Sequence, residues 1–305
     1  MRYDAHMHLW TANASPDNLM KALEKAGMNG GIVLSMPSEQ YAGLGGGAPY
    51  EERLADVLRF TRKYPDRLYP ILWVHPDEEE ILAKIEDAAG RGIMGFKLIC
   101  NSYYIYEDKS MRLLEQIAKT GRPVVCHSGI LWDGQVSSAY NKPINWEHCF
   151  EISGLRFALA HCSWPWYDEC IALYGKFLDT YSKRPELSAE MFLDITPGTP
   201  VPYRRDLLTK LHTVGYDVKH NILFGTDGAA NDYNEEWARK WQTIDDALYE
   251  EIGVDKETVN CIYEDNLKRF LGLEQGAVTH KVTLLDGRVV EVRQQEGISE
   301  AQKRE

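Results

Sequence analysis

Much of what narrows this sequence is absent from it. No stretch approaches the roughly 20 consecutive apolar residues of a transmembrane helix, so no membrane-spanning helix is expected. The six cysteines (Cys100, Cys126, Cys149, Cys162, Cys170, Cys261) contain no C-x-x-C pair. With no secretory leader read at the N-terminus, they are expected to be reduced, mostly buried thiols in a cytoplasmic protein. Positive charge is in short supply: 34 Lys and Arg face 46 Asp and Glu, a formal net charge of -12. That balance argues against nucleic acid or an anionic membrane surface as the main partner. No internal repeat or low-complexity linker divides the chain. The glycines at 43, 45, 46 and 47 lack the lysine and helix start of a phosphate cradle, so Gly43 to Pro49 reads as a mobile lid or a plain loop.

What remains is an ordinary soluble composition, 44% hydrophobic and 26% charged over 305 residues, enough for a sizeable core. Short apolar runs alternate with helical periodicity. Strands are expected at Arg2–His8, Gly31–Met36, Leu68–His75, Ile93–Ile99, Pro123–His127, Arg156–His161, Met191–Ile195 and Asn221–Asp227. Helices are expected between them, the first with Ser15 as N-cap and Pro16 in its first turn, and others over Asn145–Ile152, Asn234–Glu251 and Lys256–Leu271. Strands apolar on both faces and followed by helices imply a parallel sheet covered on both sides. Eight such units in about 270 residues predict an α/β fold of the (β/α)8 TIM-barrel type. A doubly wound open sheet is the rival, but its glycine-rich first turn is missing. The barrel is assigned to residues 1–275, and residues 276–305 to a C-terminal β-hairpin extension and polar tail. Asp286-Gly287 between two alternating runs sets the hairpin over 282–292, and the residues from about Gly297 are expected to be disordered. A lone hairpin is marginal in water, so it must pack on the barrel or on another subunit, which leaves a homo-oligomer open.

Catalytic residues of such barrels stand at the C-terminal strand ends. Residues two apart on a strand share a face, so His6 and His8 present two imidazoles side by side. Lys97 falls near the end of strand four, His127 ends strand five, His161 ends strand six and Asp227 ends strand eight. Two or three imidazoles and a carboxylate suit zinc, with manganese, iron or nickel also accommodated. A bound divalent ion can lower the pKa of its water to about 7. Aromatic residues crowd the same loops, Trp164 among them, which suits a ring-bearing substrate or simply the capping of a barrel mouth. Arg204 and Arg205 follow strand seven and could clamp a carboxylate or lie solvated on the surface. His75 reads as structural or substrate-contacting, and Asp194 as equally suited to internal hydrogen bonding or to chemistry.

Asp4-x-His6-x-His8, Gly95-Phe96-Lys97-Leu98, Val125-Cys126-His127, Leu159-Ala160-His161 and Leu223-Phe224-Gly225-Thr226-Asp227 together resemble the amidohydrolase superfamily of metal-dependent barrels. Within it the chain is most similar to the amidohydrolase-2 branch, which includes aminocarboxymuconate-semialdehyde decarboxylase-like enzymes. The closing helix Asn266–Leu273 is similar as well, so the likeness runs over roughly residues 2–273. The resemblance implies that His6, His8 and Asp227 bind one divalent metal ion, with His127 a further ligand. It implies that His161 acts on the substrate as acid, base or electrophile, and that Asp227 also orients or deprotonates the attacking water. Lys97 would bridge a second metal if carbamylated, or otherwise pair with a substrate carboxylate. Two segments depart from the family pattern, Cys162-Ser163-Trp164-Pro165-Trp166 after His161 and Gly228-Ala229-Ala230 after Asp227. Both lie where substrate is held. The expected activity is hydrolysis of an amide, ester or lactone carbonyl of a small molecule by metal-activated water. The alternatives are non-oxidative decarboxylation of an unsaturated or aromatic acid, or a barrel that binds metal without catalysis.

Overall fold

The computed structural model describes residues 1–11, 13–41, 46–184, 186–273, 278–283 and 287–293. The first half of the glycine-rich loop, the hairpin turn at 284–286 and the tail from Gly297 lie outside the described residues. Eight strands pair side by side in sequence order, all parallel: β1 (Tyr3–His8), β2 (Gly30–Leu34), β3 (Leu68–Trp73), β4 (Gly95–Leu98), β5 (Val124–Cys126), β6 (Arg156–Leu159), β7 (Glu190–Asp194) and β8 (Ile222–Leu223). A ninth short strand, β9 (Gly228–Ala229), pairs with β1.

The expected eighth strand is therefore real but broken. Its first part, β8, pairs with β7, its second part, β9, pairs with β1, and Phe224–Asp227 bends between them. The Ala5 amide bonds to the Phe224 carbonyl at 2.8 Å and the Ala230 amide to the His8 carbonyl at 2.7 Å, which closes the sheet into a barrel. The bend puts Asp227 in the mouth instead of in the wall.

The helices are α1 (Pro16–Lys25), α2 (Tyr50–Thr61), α3 (Ile81–Gly90), α4 (Asp108–Lys119), α5 (Tyr167–Lys183), α6 (Val201–Thr213), α7 (Glu235–Ile252), α8 (Lys256–Asn260) and α9 (Asn266–Leu271). The longer ones each bury one stripe, for example Leu19, Met20 and Leu23 on α1, or Leu113, Leu114 and Ile117 on α4. Ser15 occupies the N-cap position of α1 but its hydroxyl makes no capping bond. The helix expected over Asn145–Ile152 is instead a 3-10 stretch, Pro143–Glu151. Its buried side chains are Pro143, Trp146, Cys149 and Phe150, and that spacing serves a 3-10 turn and an α-helix equally. Between α8 and α9 a single π turn, Cys261–Asp265, interrupts the expected long helix.

Two apolar layers hold the barrel. The outer one packs sheet against helices and includes Met7, Leu98 and Leu113. The inner one fills the lumen with Tyr3, Ala5, Ile71, Val125, Ala158 and Phe192, and α9 contributes Leu267, Phe270 and Leu271 to it. Phe270 meets Phe192 edge-on at 5.0 Å, so α9 plugs the N-terminal end of the barrel.

The C-terminal strands β10 (Thr279–Thr283) and β11 (Val289–Arg293) form an antiparallel hairpin. It docks on this chain's own barrel: Val282 is buried, His280 meets Phe177 of α5 edge-on at 6.4 Å, and the Lys281 amide donates to Asp217 at 3.0 Å. Among the described residues, no helix is long and apolar enough to cross a membrane.

Candidate functional site

A register shift between Asp4 and Met7 sets the phase of β1. Before it Tyr3 and Ala5 face the inner core, and after it Met7 belongs to the outer one. The shift turns His6 and His8 together toward the open mouth, as a bulge does when it re-aims a strand. His6 Nδ1 donates to Asp194 Oδ2 at 2.7 Å. That bond fixes the tautomer and leaves the Nε2 lone pair facing the mouth, where Lys97 Nζ donates to it at 3.2 Å. Burial, and next the Lys97 charge, pull the His6 imidazole down to about 4 despite Asp194, so it is neutral near pH 7. Burial likewise brings Lys97 down to about 8, against the pull of Asp227 and Asp194. Asp194 is itself held by the Thr196 amide at 2.8 Å and by the Thr196 hydroxyl.

Asp4, 0% exposed, ties β1 to the bend that carries Asp227. Its Oδ1 accepts from the His6 and Thr226 amides, each at 3.0 Å, and its Oδ2 from the Thr226 hydroxyl at 2.5 Å and the Tyr233 hydroxyl at 2.8 Å. Burial raises this carboxyl to about 6 even against those four bonds. Next in the bend, Gly225 lies where a Cβ would come within 2.8 Å of the His6 Cβ. The strand can approach β1 only with glycine there. Asp227 then takes a left-handed backbone, φ +57°, and its Oδ1 stands 3.2 Å from His8 Nε2 and 3.7 Å from His6 Nε2. Burial would raise its carboxyl, but the His8 bond and the imidazoles of His161, His6 and His8 outweigh burial and hold it well below the usual range. His6, His8 and Asp227 each offer one ligand atom, all within 4.8 Å of one another, and they are the one such trio among the described residues.

His161 also has a left-handed backbone, φ +62°, and Cys162 and Ser163 continue it at φ +41° and +61°. Such conformations cost side-chain-bearing residues about 1–2 kcal/mol each and concentrate at functional sites. The turn aims the His161 ring into the mouth, 5.6 Å from the His6 ring and 5.1 Å from that of His127. Its Nδ1 is buried with no protein partner. Gly198 leaves room for this ring, since a Cβ there would sit 2.7 Å from its Cγ. His127 lies outside the tight trio. Its Nε2 faces the Ile130 carbonyl at 3.2 Å, and burial, with the His161 and Lys97 charges next, keeps the ring neutral, so its lone pair is on Nδ1.

These groups floor a cavity of about 260 Å³ whose walls include Trp10, Trp73, Trp132, Trp164, Ile99 and Leu131. Trp10 stacks on the His8 ring at 4.9 Å, 13° from parallel.

Arg204 corrects the expectation of a carboxylate clamp. It is fully buried, with Nε at 2.8 Å and Nη2 at 2.5 Å on the two Asp245 oxygens, and it lines no part of the cavity. Arg205 pairs with Glu251 on the surface. His75 is likewise outside the cavity, held by Asn101 at 3.4 Å and by the Asp77 amide at 3.2 Å. Sequence reasoning missed Asp4 and Gly198 as positioning residues. Asp4 had a signal, its place one strand repeat before His6, whereas Gly198 had none.

An open-mouthed parallel barrel with clustered histidines and aspartates at its strand ends defines a class of site-bearing (β/α)8 enzyme. Residues 3–273 match the amidohydrolase family model, and the chain belongs to that family as an enzyme of the amidohydrolase type. No curated protein matches it in sequence. Among solved structures it is similar to a probable 2-pyrone-4,6-dicarboxylic acid hydrolase from Acinetobacter baumannii, with TM-score 0.60, 14% identity, and 89% of this chain and 99% of that one covered. A putative hydrolase of the same kind from Pseudomonas putida aligns with TM-score 0.57 and 14% identity, covering 90% and 98%. The dihydroorotase of Campylobacter jejuni aligns with TM-score 0.55 and 14% identity, covering 93% and 87%. At these identities the likeness is one of fold.

Proposed function

We propose that the chain is a metal-dependent hydrolase that opens an amide, ester or lactone carbonyl of a small substrate. The observation that carries this reading is the His6, His8 and Asp227 trio within 4.8 Å at the floor of the cavity. Two neutral imidazoles and one ionised carboxylate match the donor set of a catalytic zinc site. The bond from His6 to Asp194 is the carboxylate–histidine support such ligands carry. The donors therefore fit a divalent ion, zinc first. When bound, that ion supplies Lewis acidity and makes water nucleophilic near neutral pH.

The chain's own residues do the rest. Asp227, kept ionised by its neighbours, accepts the proton of the attacking water and passes it to the leaving group. His161 donates toward the carbonyl oxygen as charge develops there, since its turn already aims the ring into the site. His127 keeps Nδ1 for the substrate or as a further ligand. Lys97 stands beside His6 as an amine able to pair with a carboxylate of the substrate. One trio of ligand atoms favours one ion over two.

The test is metal analysis of the purified protein, followed by chelation, reloading and assay on ester, lactone and amide panels. One divalent ion per chain is expected, with activity lost on chelation and restored on reloading, and with uptake abolished in His8→Ala. Protein that neither carries nor takes up an ion overturns the metal site. Release of CO2 without addition of water overturns the hydrolytic step in favour of decarboxylation.

A further inference from the structure

We infer that the substrate is a compact ring compound carrying at most one negative charge, and that Trp132 and Trp10 select it. This deepens the hydrolytic reading above and rests on it. Among the described residues, apart from the histidines, the cavity wall has two ionisable side chains, Lys97 and Asp227, and both stand at the floor beside His6 and His8. The rest of the lining is tryptophan, isoleucine and leucine with Gly198 and Ser128, and the Ser128 hydroxyl is already bonded to the Asn141 carbonyl and to Ser163. Among the described residues no arginine lines the cavity. The nearby buried arginines are already committed, Arg204 to Asp245 and Arg53 to Glu78 and the Trp73 carbonyl. Among the described residues Lys97 is thus the single lining side-chain cation for an anionic substituent. A second carboxylate, beyond the reach of Lys97 and of the ion the trio would hold, would lose water against indole rings with no side-chain counter-charge, which buried carboxylates do not tolerate.

Two of the lining tryptophans are unusually wet. Trp132 is 72% exposed and Trp10 is 40% exposed, whereas Trp73 is 1% exposed. Scattered surface tryptophans carry no message, but these two belong to the wall of one apolar cavity. Trp10 stacks on the His8 ring, which fixes the indole beside the candidate ligands, so a ring packed against it lies next to them. Offset stacking on the two indoles would bury the exposed faces and orient a flat substrate without any charge. The cavity, about 260 Å³, falls below the roughly 300–1,000 Å³ of pockets for drug-sized ligands, so the ring system is small. The dicarboxylic acid in the name of the A. baumannii neighbour is the chemistry this wall disfavours.

The experiment is calorimetric binding to the metal-loaded parent, Trp132→Ala and Trp10→Ala. The probes are 3,4-dihydro-2-quinolinone (a neutral, slow-reacting bicyclic lactam), its monocarboxylate, and 2-pyrone-4,6-dicarboxylic acid. Hydrolysis of 3,4-dihydrocoumarin is followed in parallel. The neutral and monocarboxylate bicycles are expected to bind at least about tenfold more tightly than the dicarboxylate. Trp132→Ala should weaken them about tenfold, the scale of one aromatic contact, with metal content and melting temperature unchanged. Tighter binding of the dicarboxylate, parent-like binding by Trp132→Ala, or no binding of any bicycle would each overturn the inference. Tryptophan-dependent binding with no ester, lactone or amide ever cleaved supports it and instead defeats the hydrolytic reading.

Discussion

Asp4 and Thr226 are 222 residues apart in sequence and hydrogen-bonded twice, through the Thr226 amide at 3.0 Å and its hydroxyl at 2.5 Å. The pair joins the first strand to the bend of the eighth and so sets the separation of His6 and His8 from Asp227. In Asp4→Asn the side-chain amide would keep one acceptor and turn a donor toward hydroxyls that now donate. The expected result is a folded protein destabilised by about 1–3 kcal/mol, with divalent-ion affinity lowered about 10–100-fold, as for other supporting groups of metal ligands. Competition against a chelating dye, beside a denaturant melt, checks both. Unchanged ion affinity would remove Asp4 from the site.

Gly198 is a steric prediction. A methyl at this position meets the His161 ring at 2.7 Å, and the ring is fixed by the left-handed run from His161 to Ser163. Gly198→Ala should cost about 1–3 kcal/mol of stability from overpacking. Because His161 is displaced and the ligand trio is not, kcat should fall at least about tenfold with ion content intact. Metal stoichiometry measured on the same sample as the kinetics separates this from general damage, and parent-like turnover would show that the His161 ring is not held from this side.

Arg204 shows how far a residue's type can mislead about its place. Polar and early in α6, it carries no mark of burial, yet its partner Asp245 comes 41 residues later on α7, and the pair is 0% exposed. Removing one partner strands the other charge in the core. Arg204→Met should therefore lose about 3–5 kcal/mol, and at temperatures where it stays folded its KM for carboxylate substrates should match the parent's. A raised KM with unaltered melting temperature would restore the substrate role expected from the sequence.

The barrel was legible because its signals are local. Eight apolar runs alternate with helical stripes, and His6 and His8 keep their common face through the register shift of β1. Asp227 was legible from the Gly-Thr-Asp stretch, although its position depends on a break in the strand that no periodicity announces. What could not be read was contact between distant residues, as with Asp4 and Thr226, Arg204 and Asp245, or α9 plugging the lumen. The 3-10 stretch Pro143–Glu151 was illegible for a different reason, since its buried spacing fits two kinds of helix. Lys97 lay at the expected strand end, but its bond to His6 Nε2 follows from barrel closure alone.

Acid sensitivity provides a test away from the active site. His212 on α6 is largely buried, meets Tyr249 edge-on at 5.5 Å, and has a buried Nε2 with no protein partner. Burial lowers its imidazole from the ordinary 6.5 to about 4. The unfolded chain then binds this proton at a higher pH than the folded chain does. The associated stability is complete above about pH 6.5, is lost as pH falls from there through 4, and changes no further below that. By pH 5 the loss is about 2 kcal/mol relative to neutral pH. In His212→Leu the imidazole is gone and an apolar side chain remains against Tyr249, so denaturant melts at pH 7.5 and pH 5 should differ by about 2 kcal/mol less than in the parent. Equal pH dependence in parent and variant would mean that His212 takes up its proton without unfolding its surroundings.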